Sequence, residues 1–197
     1  MENPPFIPYG SEIIAQWAAS RGLRHETAPD DAWFRAWEPF FTISSPARYI
    51  NAVTQVTGSG YVVVVEPWMA DVDIEPLDRT LLAFATHQGL FHRAAARAGE
   101  HFITRAAFLG DKPPREVTVG DALWDGHVKT FAPTTDIARA GFHGRLRALL
   151  GGWGFSGHLE LFAGGLLLHL AGLPPNLEGY RRLRRAVVDV VNTAISR

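Results

Sequence analysis

The chain has 197 residues, of which 47% are hydrophobic and 20% charged, and its net charge is −1. Those proportions suit a globular protein with a sizeable core, and the near-zero charge offers no global field for nucleic acid or anionic lipid. The absence of cysteine excludes disulfides, thiolate nucleophiles and cysteine-ligated zinc or iron–sulfur centres.

The first ten residues hold three prolines and neither the basic region nor the apolar core of a signal peptide, so a cytoplasmic location is expected. Ser11 then precedes EIIAQWAASRG, where Ile13, Ile14, Trp17 and Ala18 recur at helical spacing and Gly22 ends the run. WFRAWEPFF (33–41) reads as a short helix or turn that Pro39 interrupts. NAVTQVTGSGYVVVVE places two β-branched runs around Gly58-Ser59-Gly60, which predicts a hairpin with a three-residue loop. Residues 66–78 carry five acids and no base, as a solvated loop would. The spacing of acids there lacks the glycine and glutamate of a calcium loop, with Pro76 and Leu82 in their places. RTLLAFAT (79–86) reads as a strand, the alanines after Gln88 predict a helix within 88–98, and HFITRAAFL is extended or helical.

GDKPPRE (110–116) divides the chain into a 1–110 lobe and a 117–197 lobe, or bends one continuous domain. HVKTFAP predicts a strand, Thr134 or Thr135 caps a helix over DIARAGFHGRLRALL, and Asn176 caps a last helix. On that helix Leu177, Tyr180, Leu183, Val187, Val191 and Ile195 form one stripe, with Arg181, Arg182 and Arg185 facing away. Between the helices lies GHLELFAGGLLLHLAG (157–172), too short and too interrupted to cross a bilayer. No transmembrane segment is expected. A two-residue turn at Gly164-Gly165 pairs Ala163 with Leu166, Leu161 with Leu168 and Leu159 with Leu170 on one apolar face. The other face carries Phe162, Leu167, Glu160 opposite His169, and His158. The expected fold is α+β in two lobes, with antiparallel hairpins whose helices pack on one face and a C-terminal half running β-α-β-β-α.

Candidate chemistry is sparse. His158, Glu160 and His169 compose a two-histidine, one-carboxylate set that suits zinc or ferrous iron; the competing reading is a structural cross-strand pair. His87, His92 and His101 lack the spacing of a helical ligand pair. The glycine clusters match no phosphate-binding loop, and no serine sits in a nucleophile elbow. Arg181, Arg182 and Arg185, together with the aromatic pair Trp33 and Trp37, are the candidate partner-binding residues.

TVGDALWDGHVKTFAP resembles a motif in a broad group of bacterial domains of unassigned function: a Gly-Asp, a spacer, an aromatic-Asp pair and a short strand. Gly120, Asp121, Trp124, Asp125, Val128 and Phe131 carry the likeness, which covers 117–197. The group more usually has Phe where Trp124 stands. The resemblance implies a non-catalytic module and brings no catalytic residue with it. Read physically, Asp121 and Asp125 cap turns and Trp124 plugs the core.

The functional expectation is therefore a non-catalytic module that binds another protein or itself, with no nucleic acid and no cofactor. The alternative is a metal-dependent hydrolase using His158, Glu160 and His169 with zinc or iron. A third reading is a carrier for a small apolar ligand between the lobes.

Overall fold

A computed structural model describes residues 8–30, 32, 34, 46–69, 79–101 and 114–196. In chain order these form α1 (Ser11–Ser20), β1 (Arg24–Glu26), β2 (Arg48–Thr57), β3 (Gly60–Trp68), β4 (Leu82–Thr86), β5 (Ala94–Ala98) and β6 (Arg115–Val117). There follow α2 (Ala122–Asp125), β7 (Lys129–Ala132), α3 (Thr135–Gly141), α4 (Gly144–Gly152), β8 (Gly157–Phe162), β9 (Gly165–Leu170) and α5 (Leu177–Ile195). The class is mixed α+β, but a single sheet dominates it. Nine antiparallel strands run in the order β1-β2-β3-β4-β9-β8-β5-β7-β6. Strands from before residue 110 and after residue 117 interleave: the β8–β9 hairpin sits between β4 and β5.

Alternation along each strand gives the sheet two unlike faces. One face offers Val62, Val64, Ala83, Ala85, Ala94, Ala96, Leu159, Leu161, Leu166 and Leu168 to the helices. Burying each such Val or Leu contributes about 1.5–3 kcal/mol. From α5 come Tyr180, Leu183, Val187 and Val191 of the expected stripe, joined by Val190, while Leu177 and Ile195 at its ends are only partly buried. The opposite face is apolar at one end, where Phe34, Tyr49 and Phe84 cluster with Val63, Val65 and Leu167. It becomes polar toward β8, β9 and β5.

Several expectations need correction. Ala94–Ala98 is a strand, not part of a helix: it lies between β8 and β7 with all five residues buried. Alanine's helix propensity yields there to sheet pairing on both edges and to helices too close for larger side chains. The expected helix over 135–150 is two helices, broken at Phe142 and His143. The break carries Phe142 into the core beside Trp124, with ring centroids 5.8 Å apart, while Arg147 Nη1 donates to the freed Phe142 carbonyl. The C-terminal half thus differs from a simple β-α-β-β-α.

Both hairpin loops also differ. Gly60 pairs with Thr57, so the first loop is Gly58-Ser59 alone. Any side chain on Gly60 would collide with the Thr86 carbonyl, which explains a glycine inside the strand. In the second hairpin Phe162 pairs with Gly165, so the loop is Ala163-Gly164, and Gly164 takes the left-handed φ of 85°. Gly164 is fixed from outside the hairpin: its N–H donates to Leu90 O and its carbonyl accepts from His87 N. The register moves by one pair, and His158 rather than Glu160 stands opposite His169.

Candidate functional site

The polar end of the second sheet face gathers four titratable side chains and a threonine. Its members are Arg97 from β5, His158 and Glu160 from β8, His169 from β9, and Thr80 ahead of β4. Strand register places them: Arg97 pairs with His158, and His158 with His169. The sequence-derived set of His158, Glu160 and His169 does share one face. All three are sealed, at 0%, 1% and 3% exposure.

The hydrogen bonds define the tautomer of His158. Arg97 Nε donates to His158 Nδ1 at 3.4 Å, so the imidazole carries its proton on Nε2 and donates to Glu160 Oε1 at 2.6 Å. The ring thereby links Arg97 to Glu160. The Arg97 guanidinium also lies 5.8 Å from the centre of the Phe131 ring. Burial lowers the Arg97 pKa from its usual value, opposed by the charges of Glu160 and Glu100; a guanidinium starts so high that it stays charged.

His169 is held differently. Its Nε2 is 3.0 Å from Thr80 Oγ1, and Nδ1 has no hydrogen-bond partner among the described residues. Its ring meets His101 edge-on, with centroids 5.1 Å apart. Burial, then the neighbouring His101 and His158, push its pKa down to about 3, so it is neutral at physiological pH. The set does not converge as ligands do: His158 Nε2 is committed to Glu160 and His169 Nε2 to Thr80. Among the described residues no group of three His, Cys, Asp or Glu side chains is placed to hold a metal ion.

Sequence reasoning missed Arg97 and Thr80. A single arginine at the alternate position of AAARA is a signal that a strand reading would have used. It also missed Glu66, fully buried in β3, whose carboxylate receives Arg79 Nε at 2.5 Å and Nη2 at 3.0 Å. Charge at the end of VVVVE is the visible hint there.

The motif around residues 119–131 proves structural. Asp125 accepts the backbone N–H groups of Val119, Gly120 and Asp121 at 3.0, 2.9 and 3.1 Å. Asp121 caps α2 through Trp124 N, and Arg147 Nε pairs with it at 2.9 Å. Trp124 is buried and donates from Nε1 to Thr130 Oγ1 at 2.8 Å.

Of the partner-binding candidates, Trp33 and Trp37 lie outside the described residues. Arg181, Arg182 and Arg185 are exposed on α5. Arg181 stacks over Trp17, its guanidinium carbon 6.0 Å from the ring centre. Arg182 and Arg185 instead line an open groove of about 380 Å³ with Trp153 and Phe155.

The class defined by this architecture is an α+β protein built on one antiparallel sheet, with helices over one face and a closed polar network on the other. No described helix is long and apolar enough to cross a membrane. No family model matches the chain, and no curated protein matches it. Its fold is similar to the crystal structure of the mycobacterial trehalose monomycolate transport factor A, TtfA. The TM-score is 0.56 at 16% identity, over 94% of this chain and 97% of that one.

Proposed function

We propose that this protein is a non-catalytic module that acts by binding another protein through the arginine-bearing face of α5. The observation that carries the reading is the closure of the His158–Glu160–His169 face. A general acid, base or metal-bound water must reach substrate, and these groups are buried, with His158 committed to Glu160 and His169 to Thr80. The coextensive likeness to a protein named as a transport factor supports an accessory role over a catalytic one. A module that works by binding also fits Arg182 and Arg185, which have no hydrogen-bond or ion-pair partner among the described residues of the protein.

The test compares wild type, Glu160→Gln, and the double variant Arg182→Glu/Arg185→Glu. Photo-crosslinking in the cells that make the protein is expected to capture one partner set with wild type and Glu160→Gln, and to lose it in the double variant. A screen on generic esters, phosphate esters and glycosides, with added zinc or ferrous iron, is expected to show no turnover. Metal-dependent turnover abolished by Glu160→Gln would overturn the reading in favour of a hydrolase.

A further inference from the structure

We infer that the groove beside α5 receives an acidic peptide segment that anchors one apolar side chain. The inference deepens the protein-binding reading and rests on it.

The groove has an apolar lining, made by Phe155, Leu170, Leu173 and Ala186, and Trp153 lines it too, 39% exposed. Trp153 is the one exposed large apolar side chain of the described residues that lines this groove, and it follows the end of α4. A large aromatic beside an apolar lining is the usual composition of an interface anchor. Arg182 and Arg185 complete the lining on the α5 side. They are three apart on α5, so their side chains are neighbours on one helix face. Neither makes a hydrogen bond or an ion pair within the described protein. This contrasts with Arg79, Arg97, Arg147 and Arg184, each of which has a partner. Asp189 also lines the groove, one turn beyond Arg185, yet forms no ion pair with it. Two guanidiniums against one carboxylate leave the groove cationic.

Unpaired guanidiniums at this spacing offer forked donors for carboxylates. The apolar lining supplies a seat that bulk anions such as phosphate would not use. The groove is open along one side and holds about 380 Å³, at the small end of the range for ligand cavities. An enclosed small molecule would be left half exposed there. An extended segment that inserts one side chain and lays carboxylates along α5 fits both volume and openness.

The probe is a fluorescein-labelled peptide, EPWMADVDIEPLD, chosen because it combines five acids, no base and several apolar anchors. Its control is the same peptide with every Asp and Glu changed to Asn and Gln. Fluorescence anisotropy on full-length protein is expected to show saturable binding of the acidic peptide, at least ten-fold weaker for the amide form. Arg182→Glu/Arg185→Glu is expected to weaken binding at least ten-fold, and Trp153→Ala at least five-fold. Arg145→Glu, an exposed arginine on α4 outside the groove, controls for bulk charge and is expected to leave binding unchanged. Circular dichroism and urea midpoints verify that each variant folds. Equal binding of both peptides, equal loss in Arg145→Glu, or Arg182/Arg185-dependent binding of dodecanoate without peptide binding would each overturn the inference. If the peptide fails while crosslinked partners still depend on Arg182 and Arg185, the inference falls and the protein-binding function stands. If neither depends on them, both fall.

Discussion

Burying His169 gives the stability of this fold a pH-dependent contribution that one substitution can isolate. The perturbation is His169→Gln, which keeps a polar group for Thr80 Oγ1 but cannot take a proton. In the folded protein burial pushes the imidazole down to about 3, whereas in the unfolded chain it titrates near its ordinary 6.5. Between those values the unfolded state binds a proton that the folded state refuses, so stability rises with pH across the window. The contribution is complete above pH 6.5 and is lost as pH falls toward 3. At about 1.4 kcal/mol per pH unit, acidifying from pH 7.5 to pH 5 costs the wild type about 2 kcal/mol through this group. For a domain of this size that is about 4–8 °C of melting temperature. The carboxylates titrate in both proteins and drop out of the difference. The assay is a set of urea or thermal unfolding curves at half-unit pH steps for wild type and His169→Gln. Wild type is expected to lose about 2 kcal/mol more than the variant between the two limits. Parallel pH profiles would mean that the His169 imidazole is solvated or charged in the folded state, and the account of the closed face would be refuted.

Other perturbations probe separate parts of the structure. Asp125→Ala strands three backbone N–H groups and is expected to cost about 2–4 kcal/mol by urea unfolding, with Asp125→Asn recovering part through its remaining oxygen. Gly179→Ala improves helix propensity, yet its methyl would overlap the Pro174 carbonyl and press on Leu81. A net loss of about 2–4 kcal/mol is expected, and a gain in melting temperature would contradict the packing of the first turn of α5. Tyr180→Phe removes the hydroxyl that donates to Asn51 O at 2.8 Å and is expected to cost about 1–2 kcal/mol. Burial, then the Glu66 charge, raise the Tyr180 pKa well above 10, with Arg79 opposing. In an alkaline absorbance titration Tyr180 should therefore ionise only on unfolding.

Local pattern carried much of this fold. The faces of the β8–β9 hairpin followed from the period of two, most of the stripe on α5 from the period of 3.6, and the caps at Asn176 and at one of Thr134 and Thr135, which the structure resolves as Thr134, from their side chains. What local pattern could not supply was decided at a distance. The hairpin register depended on Leu90 and His87 holding Gly164, contacts that no feature of 157–172 announces. The strand at 94–98 carries a helix-forming composition that pairing with β7 and β8 overrides. The break at Phe142 had a visible signal in Gly141 and Gly144, but its cause is the seat beside Trp124. For the site, the face was legible and its contents were not. Arg97 and Thr80 enter only because β5 and the approach to β4 are neighbours of β8 and β9 in the sheet, and sheet order was not readable from one sequence.

The insertion of β8 and β9 between β4 and β5 has a consequence for how the molecule is made. On the ribosome, β4 and β5 emerge with their facing edges unpaired, and the hairpin that joins them comes after β6, β7 and three further helices. At about 5–20 residues per second, the nascent chain spends seconds with two open strand edges rich in alanine and leucine. Such edges are templates for pairing with other chains. A ribosome that stalls before Gly157 would release a product with no means of closing its own sheet. Holdase chaperones and proteases would meet that species, and the distal hairpin would set the moment at which the chain ceases to be their client.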